Sequence, residues 1–311
     1  MAVAQTEEQT GKAIALSIFA FACFSISDGL RKYMSQTYEI TDILLWQGIC
    51  GGLLIVALTP FMGGVKQLVN ARTVKWQFLR GMLIATNTSF SLMAISKIPI
   101  VDAYTIFFLV PFVVTILGAV LFKEEIGKFR ILSIFLGFLG AFIAYRPGFV
   151  DLQQEHLYAF VCVFTFSTSS VLARYIGRVH GLLSFAFWPF VCLVTGLLIY
   201  SGGHINYDFS VSFYLMMIFM GAAYGAAMLT IAYSFTLAQA AVLAPYQYVQ
   251  IIFALGFGYF LFGDIPDFFK IVGGAIIIGS GIFLFTRERI NMKRAKKEAL
   301  TKAKASQIIS K

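Results

Sequence analysis

The chain has 311 residues, of which 59% are hydrophobic and 13% charged, with a mean hydropathy of +0.81. A soluble domain carries about 25% charged residues, so there is too little polar surface for a water-soluble globule, and lipid must be the solvent for most of the chain. The formal charge of +9 does not point to nucleic acid: nine of the 24 Lys and Arg residues follow Phe285 and the rest punctuate apolar runs, which leaves no folded basic domain.

The first eleven residues are polar and include Glu7 and Glu8, and the apolar run behind them is too long for a cleavable signal. About 20 apolar residues cross a hydrocarbon core of roughly 30 Å. On that criterion ten spans are predicted, near Ala13–Leu30, Ile43–Phe61, Phe78–Ile95, Ala103–Phe122, Ile131–Tyr145, Leu157–Ile176, Leu182–Tyr200, Ser212–Phe235, Val242–Phe262 and Phe269–Phe285. The fifth and tenth are short, and only Ser96–Asp102 separates the third from the fourth. Cys23, Cys50, Cys162 and Cys192 each sit inside an apolar run without metal-ligand spacing and read as small apolar filler, so neither disulfide nor metal is expected. His156, His180 and His204 fall in predicted loops, which argues against a catalytic cluster.

Ten spans place both termini on one side. If that side is the cytoplasm, only Arg31, Lys32, Lys97, Arg146 and Lys270 of the 24 basic residues lie outside. The positive-inside rule therefore predicts a multi-pass inner-membrane protein with cytoplasmic N- and C-termini. The basic tail reads as a solvated topological anchor or as an amphipathic segment at the anionic inner leaflet.

The two halves of the chain resemble each other. Phe24-Ser-Ile-Ser-Asp-Gly-Leu-Arg-Lys-Tyr33 aligns without gaps to Phe166-Ser-Thr-Ser-Ser-Val-Leu-Ala-Arg-Tyr175, and the same offset pairs Trp46 with Trp188 and Cys50 with Cys192. An offset shorter by two pairs Gly81 with Gly221, Gly118 with Gly258, Leu121-Phe122 with Leu261-Phe262, Glu124 with Asp264 and Arg130 with Lys270. Each half holds five spans, an odd number, so duplicated halves enter the membrane in opposite orientations. The expected fold is an all-α membrane protein of ten transmembrane helices, arranged as two inverted five-helix repeats around a central cavity. The expected division is a cytoplasmic segment 1–11, a first repeat 12–147, a second repeat 154–287 and a basic cytoplasmic tail 288–311. Inverted repeats recur in secondary transporters, where the two halves exchange conformations about a central site.

These blocks resemble the drug/metabolite transporter superfamily in its EamA group of ten-helix proteins. The resemblance covers roughly Lys12 to Arg287. It is carried by Arg80-Gly81, the stretch from Pro111 to Leu121-Phe122-Lys123-Glu124-Glu125, Ala244-Pro245-Tyr246-Gln247-Tyr248, Leu261-Phe262-Gly263-Asp264 and a Gly-rich last span. The group usually has Glu near the position of Asp264. The resemblance implies a cavity lined by helices 1, 3, 4, 6, 8 and 9, with helices 5 and 10 in support. Ser27-Asp28 with Lys32-Tyr33, and Ala244-Pro245-Tyr246 with Tyr248, look most like S-adenosylmethionine uptake carriers; riboflavin and amino-acid or drug carriers of the group are similar.

Polar groups inside spans are costly and usually face the bundle interior. Asp28 is the one acid well inside a predicted span, and Arg31 lies three residues on. The two either form a self-satisfied ion pair or leave a carboxylate for a cationic substrate or a coupling proton. Ser25, Ser27 and the run Ser167 to Ser170, which includes Ser169, either bond the carbonyl four residues back or line the cavity. Asn87 sits in a polar stretch of helix 3 and cannot satisfy its amide alone. In helix 9, Pro245 removes a backbone donor and is followed by Tyr246, Gln247, Tyr248 and Gln250; aromatic faces with amides suit a flat or cationic organic substrate. Tyr104, Phe107, Tyr224 and Tyr233 are further candidates. Trp46 and Trp188 are cavity walls or interface anchors. Gly137, Gly140, Gly273, Gly274, Gly279 and Gly281 read as close helix packing.

The functional expectation is a secondary transporter that moves a small organic metabolite across the bilayer, with S-adenosylmethionine uptake the first candidate and export of amino acids or drugs, or riboflavin transport, the alternatives. A lipid-translocating or structural membrane protein is the alternative of another class. No His, Cys or paired-acid cluster supports an enzyme, no phosphate-binding Gly-x-x-x-x-Gly-Lys loop is present, and no cofactor or nucleic-acid partner is expected. The oligomeric state is left open by the sequence.

Overall fold

The computed structural model describes residues 7–69, 73–123, 127–146, 153–176, 181–237, 243–284, 286–287 and 290. Glu124, His180 and the tail beyond position 290 lie outside the described residues, as do the side chains of Arg130 and Arg174. All the described elements are helical. Besides two 3-10 turns, Thr59–Phe61 and Val65–Gln67, they are α1 (Glu7–Met34), α2 (Ile40–Ala57), α3 (Val74–Ile95), α4 (Ile100–Phe107), α5 (Val110–Phe122), α6 (Lys128–Tyr145), α7 (Gln154–Ile176), α8 (Leu182–Tyr200), α9 (Val211–Leu237), a 3-10 segment Ala244–Val249 that runs into α10 (Gln250–Phe262), and α11 (Phe268–Leu284). In hydrocarbon a helix satisfies its own backbone, which is why these apolar stretches take this form.

Seven helical stretches among the described residues are long and apolar enough to span a bilayer, with α4 and α5 together making one of them, Ile100–Phe122. The helices at Ile131–Tyr145, Tyr246–Phe262 and Phe268–Leu284 are shorter. Large apolar side chains point outward from the bundle; Phe135 is 64%, Ile199 81% and Phe260 82% exposed. Such a surface suits lipid and not water.

Proline shapes two of the predicted spans. The fourth breaks at Phe108–Leu109, just before Pro111 in the first turn of α5. Pro111 has no N–H to give the Phe107 carbonyl, so the helix restarts rather than continues. The ninth begins as the 3-10 segment, with Pro245 in its first turn. Both spans end in a left-handed residue, Lys123 (φ 53°) and Gly263 (φ 68°).

Packing follows the small residues. α1 lies against α9, α2 against α8 and α9, α3 against α7 and α8, and α5 against α7. A Cβ on Gly221 would sit 2.7 Å from the Gly51 nitrogen, and one on Gly140 would sit 2.7 Å from the Gly273 carbonyl oxygen. The backbones of α2 and α9, and of α6 and α11, therefore meet directly. Gly137 abuts Phe112 and Gly281 abuts Tyr248, whereas Gly274 and Gly279 face open space, contrary to the packing expected of them.

Two sequence expectations change. His156 is not in a loop: it lies in the first turn of α7, where its Nδ1 accepts the Gln153 N–H at 3.1 Å and its ring meets Tyr145 edge-on. This is the reach-back a Glu makes in a capping box, and it pulls the helix start ahead of the apolar run. Asp28 is also not alone. α4 starts earlier than hydropathy suggests, on the extended backbone at Pro99, and so carries Asp102 inside its first turn, 5% exposed. At the start of α11, Asp267 Oδ1 accepts the Lys270 N–H at 3.0 Å as an N-cap. Partial burial opposes the Asp267 charge, but the Lys270 amide and the Arg146 and Lys270 cations outweigh it and hold this carboxyl below its usual range.

Gly140→Ala is expected to lower the thermal midpoint of the purified protein in detergent, because the added methyl meets the Gly273 carbonyl. Overpacking of this kind costs about 1–3 kcal/mol. An unchanged midpoint would mean that α6 and α11 are free to separate.

Candidate functional site

α1 presents Phe21, Phe24, Asp28 and Arg31 along one face, a spacing of three, four and three residues that keeps them in register on a helix. Opposite them stand Asn87, Thr88 and Ser91 from α3, Tyr104, Phe107 and Phe108 from the broken fourth span, Cys162 and Phe166 from α7, Tyr224 and Met228 from α9, and Gln247 and Gln250 from the ninth span. These side chains enclose a cavity of about 110 Å³. Its walls come from predicted spans 1, 3, 4, 6, 8 and 9.

A chain of hydrogen bonds organises one wall. Arg31 Nη1 donates to Asp28 Oδ1 at 2.9 Å, and the Tyr104 hydroxyl donates to Asp28 Oδ2 at 2.9 Å. Arg31 Nε donates to Gln47 Oε1 at 2.8 Å, and Gln47 Nε2 donates to Ser27 Oγ at 3.0 Å. The guanidinium also lies over the Tyr224 ring, 4.6 Å from its centroid, a stacking that Lys could not reproduce. Tyr224 and Thr88 share a hydroxyl–hydroxyl bond at 3.0 Å, and Thr88 passes its own proton to the Ile84 carbonyl at 2.9 Å. The Asp28 carboxylate is thus bonded on both oxygens, and the cavity holds one negative and one positive charge.

The remaining walls are aromatic and amide. Asn87 Nδ2 donates to the Cys162 carbonyl at 3.0 Å, and Cys162 Sγ returns a bond to the Asn87 carbonyl at 3.4 Å, which ties α3 to α7. Gln247 and Gln250 line the cavity, and among the described residues neither side chain has a hydrogen-bond partner. The cavity therefore offers a charged pair, free amides and phenyl faces, a mixture suited to a polar organic molecule with a flat or cationic part.

Comparison with known proteins identifies the scaffold. The model of the EamA-like transporter family matches residues 11–146 and, a second time, residues 153–287. The chain belongs to the EamA-like transporter family. Within the wider drug/metabolite transporter superfamily it is 22% identical, over 86% of its length and 90% of the relative's, to an S-adenosylmethionine uptake transporter of Rickettsia prowazekii. It is 26% identical to a pseudopaline exporter of Pseudomonas aeruginosa, covering 87% of this chain and 95% of the relative, and 21% identical to a riboflavin transporter of Vibrio cholerae, covering 87% and 92%. A solved crystal structure superposes with a TM-score of 0.63 at 19% identity, covering 90% of this chain and 98% of that one. The family and these relatives are transporters, not enzymes.

Seven of the ten residues that the sequence singles out line this EamA cavity: Asp28, Asn87, Tyr104, Phe107, Tyr224, Gln247 and Gln250. Three do not. Ser27 is fully buried and holds Gln47, Ser169 is buried away from the lining, and Tyr246 is half-buried in the 3-10 segment without reaching it. The sequence missed Phe21, Phe24 and Phe108 as wall residues; the helical spacing of seven and four residues from Asp28 would have found the first two. Trp46 is no cavity wall: it donates to the Asn206 carbonyl at 3.1 Å and packs on Tyr207 and Tyr214. Trp188 is held between Phe78 and Phe187 and is likewise outside the lining.

Asp28→Asn is expected to destabilise the protein by about 3 kcal/mol, because it strands the Arg31 charge in a buried site. The double variant Asp28→Asn/Arg31→Gln should regain part of that loss in thermal melts. A double variant no more stable than the single one would show that the two charges do not couple.

Proposed function

We propose that this EamA protein is a secondary transporter that carries a small organic metabolite through the cavity by alternating access between two inverted halves. The observation that carries the proposal is the cavity itself. It is assembled from six spans drawn from both matched regions, and it gathers an ion pair, side-chain amides and aromatic faces. The second match of one family model supports the duplication. So do the left-handed caps Lys123 and Gly263, which fall at aligned positions after Leu-Phe in each half. The basic-residue asymmetry supports an inner-membrane protein with cytoplasmic termini, so that the C-terminal end of α1 faces outward.

S-adenosylmethionine is the first substrate to test, because a named uptake carrier matches along most of both chains. A sulfonium bears positive charge and an adenine ring is flat; Asp28 and the phenyl walls suit these two features in turn. Gln247, Gln250 and Asn87 would supply hydrogen bonds. Export is the second reading, favoured by the higher identity to the pseudopaline exporter.

Radiolabelled S-adenosylmethionine, riboflavin and a neutral amino-acid mixture, each offered to proteoliposomes, test both readings. Saturable uptake of one, competed by its unlabelled form, is expected, and Gln247→Ala should raise its KM by about tenfold or more, as loss of a buried hydrogen bond to substrate does. Failure of all three substrates in folded, inserted protein would turn the search to exported compounds. Transport kinetics unchanged in Gln247→Ala and Asp28→Asn would remove these residues from the substrate site.

A further inference from the structure

At one end of the bundle three ion pairs cross between helices. Lys270 Nζ meets Asp102 Oδ2 at 2.7 Å, Lys32 Nζ meets Asp264 Oδ2 at 3.4 Å and donates to the Ile98 carbonyl at 2.8 Å, and Arg146 Nη2 meets Asp267 Oδ2 at 3.0 Å. Every one of these ion pairs joins a residue of the first matched region to a residue of the second. The Tyr145 hydroxyl adds a bond to the Asp102 carbonyl, Lys32 lies over the Phe262 ring at 4.7 Å, and Arg146 lies over Phe269 at 4.2 Å. The three pairs grade from buried to exposed: Asp102 and Lys32 are nearly inaccessible, whereas Arg146 and Asp267 reach the surface.

This cluster lies close to the cavity network along the helices, and Asp102, Asp264 and Lys270 line a small pocket of their own. Lys32 follows Arg31 on α1, and Asp102 lies two residues before Tyr104 on α4, so each of these two buried residues shares its helical turn with a member of the cavity network. Such a layer of charge pairs suits a contact that must open. An apolar seam between two halves is stabilised by area and releases poorly into water, whereas charges released from a pair are rehydrated, so the closed and open states can lie within a few kcal/mol of each other.

We infer that Lys32–Asp264, Lys270–Asp102 and Arg146–Asp267 form a gate between the two halves, which seals the cavity at the C-terminal end of α1 and parts when the cavity opens to that side. The inference rests on the alternating-access reading. It assigns these six residues to the transport cycle without contact to substrate, and it makes the buried pairs the principal latch.

Cysteine accessibility tests it. In protein with Cys23, Cys50, Cys162 and Cys192 replaced by Ser, Ser91→Cys places a thiol on the cavity wall. A membrane-impermeant maleimide is then applied, in vesicles of each orientation, without substrate. Asp102→Asn and Lys270→Gln should each speed labelling from the α1 C-terminal side by about tenfold, the size of population shift that loss of one buried pair brings, and should leave the opposite side no faster. Asp264→Asn, in the more exposed of the two Lys partners, should act in the same direction if the buried variants fold poorly. Unchanged labelling from that side in every variant that melts like its parent would overturn the gate. Because the assay contains no substrate, that result stands apart from failure of the carrier reading, which shows in uptake.

Discussion

A carbonyl or a side-chain amide that faces hydrocarbon has no partner to bond with, at a cost of several kcal/mol. Most of what is unusual here follows from that constraint. Asp28, Arg31, Gln47, Ser27, Tyr104, Thr88 and Tyr224 come from five helices and would each be costly alone. Asp28, Arg31, Gln47, Ser27 and Tyr104 are bonded to one another at 2.8–3.0 Å, and the Thr88–Tyr224 pair joins them where Arg31 lies over the Tyr224 ring, so that they form a single polar interior. The network also orders the helices around it, since it ties α1 to α2 and α4 by hydrogen bonds and to α9 by the Arg31–Tyr224 ring contact.

The proline breaks complement this interior. Pro111 and Pro245 interrupt the fourth and ninth spans where the chain passes the cavity, and irregular backbone at membrane depth is tolerated only where protein or water covers it. Phe107, Phe108, Gln247 and Gln250 reach the cavity from these interruptions. The same prolines would be defects on a lipid-facing helix. Here they turn two spans into wall segments whose side chains converge instead of following one continuous helical stripe.

Close backbone contact and charge divide the remaining work. Glycine pairs such as Gly51 with Gly221 and Gly140 with Gly273 bring helices together where no polar group is available, and these contacts leave little room for movement. Ion pairs across the two matched regions collect instead at the C-terminal end of α1. This chain thus combines close small-residue seams with ion pairs between its two matched regions.

The sequence by itself determined the membrane class, the ten apolar stretches, the internal resemblance and the family, because each of these is written in local composition or in order along the chain. It also pointed to Asp28 with Arg31, to the polar run of helix 3 and to Gln247, since a polar residue amid apolar ones stands out without any structure. Tertiary structure alone decided which of these polar groups meet. Ser27 turned out to serve Gln47, Tyr246 stayed off the cavity lining, and Asp102 and His156 proved to lie inside helices whose starts hydropathy had placed too late. The charges at the end of α1 were equally unreadable as pairs: Lys32 and Asp264, and Asp102 and Lys270, are 232 and 168 positions apart. A helix's existence depends on its own residues, but the partner of a buried charge depends on which helices pack beside it, and that is settled only when the whole bundle closes.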